Sequence, residues 1–129
     1  MIVDSSALIA ILFNEPERAS LVTKMASASS LSVSAASVLE SAMVLEGKRG
    51  LGASADLDDL IRRTRMRIIP FDVEQLEIAR KAFELYGKGR HPAGLNFGDC
   101  ISYALAKWTG EALLYKGEDF TFTDVRRVD

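Results

Sequence analysis

Met1-Ile2-Val3-Asp4-Ser5-Ser6-Ala7-Leu8 is the stretch on which the fold turns. Its three leading apolar residues read as a short buried strand. Asp4-Ser5-Ser6 then offers side-chain oxygens suited to cap a helix running through Ala7 to Phe13. A strand passing at once into a helix opens an α/β unit, and the alternation repeats downstream. Glu15-Pro16-Glu17 starts a second helix with Pro in its first turn. Leu31-Ser32-Val33-Ser34 alternates as a strand, and Ala35 to Gly47 reads as a helix that its glycine ends. Asp56 to Arg65 is a predicted helix and Met66 to Phe71 a predicted strand. Asp72-Val73-Glu74-Gln75 has the form of a capping box opening a long helix to about Tyr86. The glycine-rich loop 87–98 precedes a helix from Asp99 to Thr109. A buried strand from Ala112 to Tyr115 follows, with a last strand expected over Asp124 to Val128. Strands separated by helices, without hairpin signals, predict an α/β three-layer sandwich around a mostly parallel sheet, in a single domain over residues 1–129.

Composition narrows the function. The 129 residues are 48% hydrophobic and 26% charged, which excludes disordered and collagen-like chains. Cys100 is the only cysteine and His91 the only histidine, so neither an internal disulfide nor a zinc cluster can form, and a reducing cytoplasmic setting is expected. The start carries no basic segment that would mark a signal peptide. The longest apolar run, Ala7 to Phe13, falls far short of the ~20 residues of a membrane span. The net charge of −2 gives no global sign of nucleic-acid binding. A basic stretch, Lys48, Arg49, Arg62, Arg63, Arg65 and Arg67, reads as a solvated helix face, with a phosphate-contacting rim as the alternative. Leu8, Ile11, Leu12 and Phe13 exceed what a small core needs and suggest a homodimer surface, whereas Cys100 and Trp108 read as core packing.

Ligands of open parallel sheets bind beyond the carboxyl ends of the strands, so the polar residues there are the candidates. Asp4 ends the first strand, Asp99 begins the helix before the strand Ala112 to Tyr115, and Glu118 and Asp119 follow that strand after a Lys116-Gly117 turn. Glu40 lies within the helix of residues 35–46 among Ala36, Ser37, Met43 and Val44, where a buried carboxylate needs a partner. Singly, each has an ordinary reading: Asp4 and Asp99 as helix caps, Glu40 as a solvated edge residue, Glu118 and Asp119 as turn residues. Together they fall at one edge of the predicted sheet. Converging carboxylates repel one another unless a cation intervenes, and an oxygen-only ligand set favours Mg²⁺ or Mn²⁺ over zinc. Metal-dependent phosphodiester hydrolysis is the chemistry that such a site suits.

Four segments carry a resemblance to a known family: Asp4-Ser5-Ser6-Ala7-Leu8, Ser37-Val38-Leu39-Glu40, Asn96-Phe97-Gly98-Asp99-Cys100 and Leu114-Tyr115-Lys116-Gly117-Glu118-Asp119-Phe120. In order and spacing they resemble the four acidic motifs of PIN domains, and more narrowly VapC-type toxins of type II toxin–antitoxin pairs, from Met1 to about Val125. The resemblance implies a Mg²⁺- or Mn²⁺-dependent endoribonuclease that hydrolyses RNA and is neutralised by a cognate antitoxin. It implies that Asp4, Asp99 and Asp119 hold the metal and that Glu40 orients or deprotonates the attacking water. Ser6 matches a small hydroxyl residue beside the first acid, and Glu118 remains a possible helper of Asp119. Among the basic residues, Arg90 and Lys116 are candidates for RNA phosphates, with a solvated loop and a surface ion pair as their ordinary readings. Two rival functions use similar residues. A receiver-type phosphoacceptor expects a pair of acids early in the sheet, and Leu31 to Ser34 offers none. A non-catalytic interaction module would keep the acids without using them.

Overall fold

Ile2 and Val3 form β1 (Ile2–Val3), the strand around which the rest is wound. In the computed structural model, which describes residues 1–129, it is followed by α1 (Ser5–Leu12), α2 (Arg18–Ala26), β2 (Ser32–Ser34) and α3 (Ala35–Arg49). Then come α4 (Ala55–Thr64), β3 (Arg67–Ile69), α5 (Val73–Tyr86), α6 (Phe97–Thr109) and β4 (Leu113–Leu114). The sheet has the order β3-β2-β1-β4 and every pairing in it is parallel. The chain winds outward from β1 through β2 to β3, then crosses over to place β4 on the other side of β1. That reversal opens a crevice beyond the carboxyl ends of β1 and β4, where such sheets bind ligands.

Side-chain alternation along the strands divides the core. Ile2 and Leu113 point into a cluster with Cys100, Ala104 and Leu105 of α6 and Ala79 and Ala82 of α5. Their neighbours Val3 and Leu114 point the other way, into a cluster with Leu8 and Ile11 of α1, Leu21 of α2, Leu45 of α3 and Leu57 of α4. Helices on both faces of a parallel sheet give the expected three layers. No helix is long and apolar enough to cross a membrane.

Several expectations are corrected. Leu8 and Ile11 are buried, so these two side chains belong to the core, while Leu12 and Phe13 are half-buried and pack against the same cluster. The central position of β1 forces α1 to be covered on more sides than a surface helix would be. Trp108 is 43% exposed on the outer side of α6, its indole donating to Glu74 Oε2 at 2.8 Å, whereas Cys100 is buried as expected. Gly47 does not end α3, which runs on to Arg49 and stops at Gly50 with φ 91°. The extra turn sets the Arg49 guanidinium 4.4 Å and the Lys48 ammonium 5.2 Å from the Phe13 ring centroid. β3 is shorter than Met66 to Phe71, because Pro70 has no N–H to continue the ladder and Met66 turns into the core. The last segment contributes one bridge, Leu113 to Arg127, in place of a strand from Asp124 to Val128. The Asp124 carboxylate is instead taken by Tyr103 Oη at 2.5 Å and Lys107 Nζ at 3.0 Å.

Candidate active site

Asp4 leaves β1 in extended conformation and caps α1, its Oδ2 accepting the Ser6 amide at 3.0 Å. Ser34 does the same for α3, accepting from the Ala36 amide, so this helix leaves the end of β2 directly and carries Glu40 over the sheet edge. α6 runs back against the strands, bringing its N-terminus to that edge. Here the sequence reading is corrected: α6 begins at Phe97, not Asp99. Asn96 is its cap, accepting from the Asp99 amide at 2.9 Å, while Asp99 Oδ2 accepts from the Asn96 amide at 3.0 Å. This reciprocal capping box was legible as Asn-x-x-Asp, the pattern assigned to Asp72-x-x-Gln75. At Asp72 only half of it forms: Asp72 accepts the Gln75 amide, but Gln75 Nε2 turns to Pro70 O.

These elements deliver Asp4, Glu40, Asp99 and Asp119 to the wall of one cleft of about 270 Å³, with Ser6 and Asn96 beside them. Larger hollows exist elsewhere, of about 430 and 450 Å³, but their linings bring no acids together in this way. Asp119 lies on the loop after β4 and is exposed. Glu118, also exposed, is absent from the cleft wall and accepts the Thr121 hydroxyl at 3.1 Å. The Ser6 hydroxyl accepts the Lys116 amide at 3.0 Å, tying the loop that carries Asp119 to the start of α1.

Neither Arg90 nor Lys116 lines the cleft. The Lys116 ammonium pairs with Glu15, which raises its pKa, and stands 3.8 Å from Glu17. The Arg90 guanidinium lies over the Phe83 ring, 5.6 Å from its centroid. His91 Nδ1 accepts the Ala93 amide at 3.0 Å, and backbone bonds between Lys88 and Leu95 and between Leu95 and Tyr86 close the loop on itself. The basic stretch is exposed but spread over α3, α4 and β3, not one helix face: Arg62 and Arg63 pair with Asp59, and none of its residues lines the acid cleft.

The electrostatics match the geometry. Burial pushes the Asp4 carboxyl above its ordinary value, with the Ser102 and Ser6 hydroxyls beside it offsetting part of the effect. Asp99 is pushed up to about 7, first by burial and then by the charges of Asp4, Asp119 and Glu40, against the pull of the Asn96 amide. Asp4 Oδ1 and Glu40 Oε1 are buried and have no hydrogen-bond partner. A buried carboxylate oxygen without a donor is costly, and a hard cation is the partner that relieves it. No three side chains form a ready-made ligand shell. That suits an ion like Mg²⁺, which is held by one or two carboxylates and keeps much of its own water. The donor set, oxygen throughout, fits such an ion and not zinc.

The PIN domain profile matches residues 1–127. The chain belongs to the PIN-domain family. This PIN domain is 46% identical over 128 residues to a protein named Ribonuclease VapC from Mycolicibacterium smegmatis, covering 99% of each chain. It is 47% identical over 129 residues to Ribonuclease VapC28 of Mycobacterium tuberculosis, covering 99% of this chain and 97% of the relative. It is therefore a VapC-type PIN domain, and a hydrolase of the nuclease kind. Among solved structures, Mycobacterium tuberculosis VapC20, described as a sarcin–ricin loop cleaving toxin, aligns with TM-score 0.75 at 20% identity over 97% of this chain and 98% of its own. VapBC2 of Rickettsia felis, solved with a fragment of promoter DNA, aligns with TM-score 0.74 at 14% identity over 99% and 96%. At those identities the structures establish the shared fold. The phosphoacceptor alternative has no support among these relatives.

Proposed function

We propose that this PIN domain is a Mg²⁺- or Mn²⁺-dependent endoribonuclease, the toxin of a toxin–antitoxin pair, acting in the cytoplasm. The observation that carries the proposal is the delivery of four acids from four separate elements to one cleft, two of them with a buried oxygen that has no hydrogen-bond partner.

Asp4, Asp99 and Asp119 are the residues that would hold the ion, directly or through its own waters, Asp4 and Asp99 with one oxygen each already fixed by a helix cap. When bound, a hard divalent cation supplies positive charge that neutralises the acids and stabilises the charge developing on the phosphodiester. Glu40, facing them from α3, accepts the proton of the attacking water or fixes its orientation. Ser6 holds the Asp119 loop through the Lys116 amide. Arg90 and Lys116 take no assigned part, since both side chains are engaged away from the cleft. The ribonuclease names of the relatives support RNA as substrate. The toxin–antitoxin complexes among the structural neighbours support a proteinaceous antitoxin, for which a cationic side chain is the natural complement to this cleft.

The test is cleavage of a structured RNA with Mg²⁺ by the wild type and Asp4→Asn, with EDTA as control. Loss of at least ~100-fold in Asp4→Asn and full loss in EDTA are expected. Equal rates in the two proteins would leave a non-catalytic interaction module as the better reading.

A further inference from the structure

We propose that Gly98 is a positioning residue for Glu40: by carrying no Cβ, it leaves open the space in which the Glu40 carboxylate rests against the first turn of α6. The nuclease reading above is needed only for the catalytic consequence of this contact, not for the contact itself.

Glycine is among the poorest helix formers, so one buried inside the first turn of α6 needs a reason. Backbone conformation does not provide it, because Gly98 has no positive φ. Space does. A Cβ built on Gly98 would stand 2.7 Å from Glu40 Oε1, 2.8 Å from its Cδ and closer still to Oε2, and these are its three nearest neighbours. The other glycine inside a helix, Gly47 of α3, has nothing within 4 Å of such a Cβ. The contact at Gly98 is therefore specific to the Glu40 carboxylate, whose Oε1 is buried without a hydrogen-bond partner. The atoms that would clash are the far end of a flexible side chain. An alanine at 98 can thus be accommodated by the fold, provided the carboxylate withdraws by a distance on the order of an ångström. Misplacement on that scale can cost about 100-fold in rate.

Two cycles test this. In the first, steady-state cleavage of RNA with Mg²⁺ is measured for Gly98→Ala, Glu40→Gln and the double variant. Gly98→Ala is expected to lower kcat about 10- to 100-fold with KM within about twofold, and to cost nothing further in the Glu40→Gln background. In the second, thermal midpoints are measured without metal for Gly98→Ala in the wild-type and Glu40→Ala backgrounds. With Glu40 truncated, the gain in helix propensity should raise the midpoint by about 2–5 °C; with Glu40 present, that gain should vanish or reverse. A wild-type kcat in Gly98→Ala overturns the positioning role, and equal midpoint shifts in both backgrounds overturn the contact beneath it. If the wild-type chain cleaves no RNA, the nuclease reading falls, and the second cycle still decides for or against the contact.

Discussion

Asp99 allows the electrostatic cost of the acid cleft to be measured. Its carboxyl ionises near 7 in the fold against 3.8 ordinarily, because burial and the charges of Asp4, Asp119 and Glu40 oppose the ionised form. The folded protein therefore keeps a proton that the unfolded chain releases. With no metal present, this stabilising contribution is complete below about pH 4 and is lost as the pH rises through about 7. At 1.36 kcal/mol per tenfold change, the full loss is about 4 kcal/mol, of which about 2.5 kcal/mol falls between about pH 5 and 8. In a domain of this size that lowers the thermal midpoint by about 10 °C. The perturbation is Asp99→Asn, which can still accept from the Asn96 amide and so retains the capping box while removing the charge. Midpoints in EDTA would be followed by circular dichroism from pH 5 to 8. The variant should gain on the wild type by about 10 °C across that interval. At the alkaline end, Mg²⁺ should restore the wild type and leave Asp99→Asn unmoved. Parallel profiles for the two proteins would refute the claim that a strained carboxylate cluster sits at the head of α6.

Three further substitutions address the fold. Gly47→Ala should stabilise by about 0.5–1 kcal/mol, since Gly47 is helical with free space around it, whereas Gly50→Ala should destabilise because φ is 91° there; urea denaturation of the pair reads both signs. Leu8→Ala should cost about 2–5 kcal/mol by the same assay and leave the elution volume in gel filtration unchanged, as befits a core residue and not an interface residue.

What the sequence made legible was whatever depends on local chemistry. The period of apolar residues and the cap residues placed all six helices, and β1, β2 and β4, to within a few residues. What stayed hidden depends on which faces are covered. Leu8 and Ile11 looked surplus because nothing local says that β1 is central, with neighbours on both sides. Trp108 looked like core because residue type was weighed without knowing which side of α6 meets the sheet. Gly47 looked like a stop signal because glycine is the usual one, yet three residues later Gly50 takes that role, and the added residues bring Arg49 over Phe13. Asp4 and Asp119 were readable because the end of a parallel strand is a position that sequence can mark, whereas Asp99 and Glu40, both within helices, joined them through the order and spacing of the motifs. The approach of Glu40 to Gly98 was not, since it joins two helices far apart in the chain.

At the sequence level, the ordinary and functional readings of Asp4 and Asp99 stood as alternatives: a helix cap or a metal-binding acid. The structure shows why they need not compete. A carboxylate has two oxygens, and in both residues one of them serves the cap. Asp4 Oδ2 accepts from the Ser6 amide, and Asp99 Oδ2 from the Asn96 amide. The other Asp4 oxygen is buried and unsatisfied, and the Asp99 charge is opposed by three neighbouring acids. The cap is thus a device for orientation as well as for helix stability. It fixes the carboxylate plane through a rigid backbone amide, on elements anchored in opposite layers of the core, before any ligand arrives. Fixed donors of this kind avoid the reorganisation that mobile side chains would require when charge develops. Residues that only capped would be free to relax toward solvent, and residues that only bound metal would have to be ordered at each binding event. Under the proposed metal-binding role, placing both duties on one side chain concentrates the instability of the cleft in the oxygens that face it.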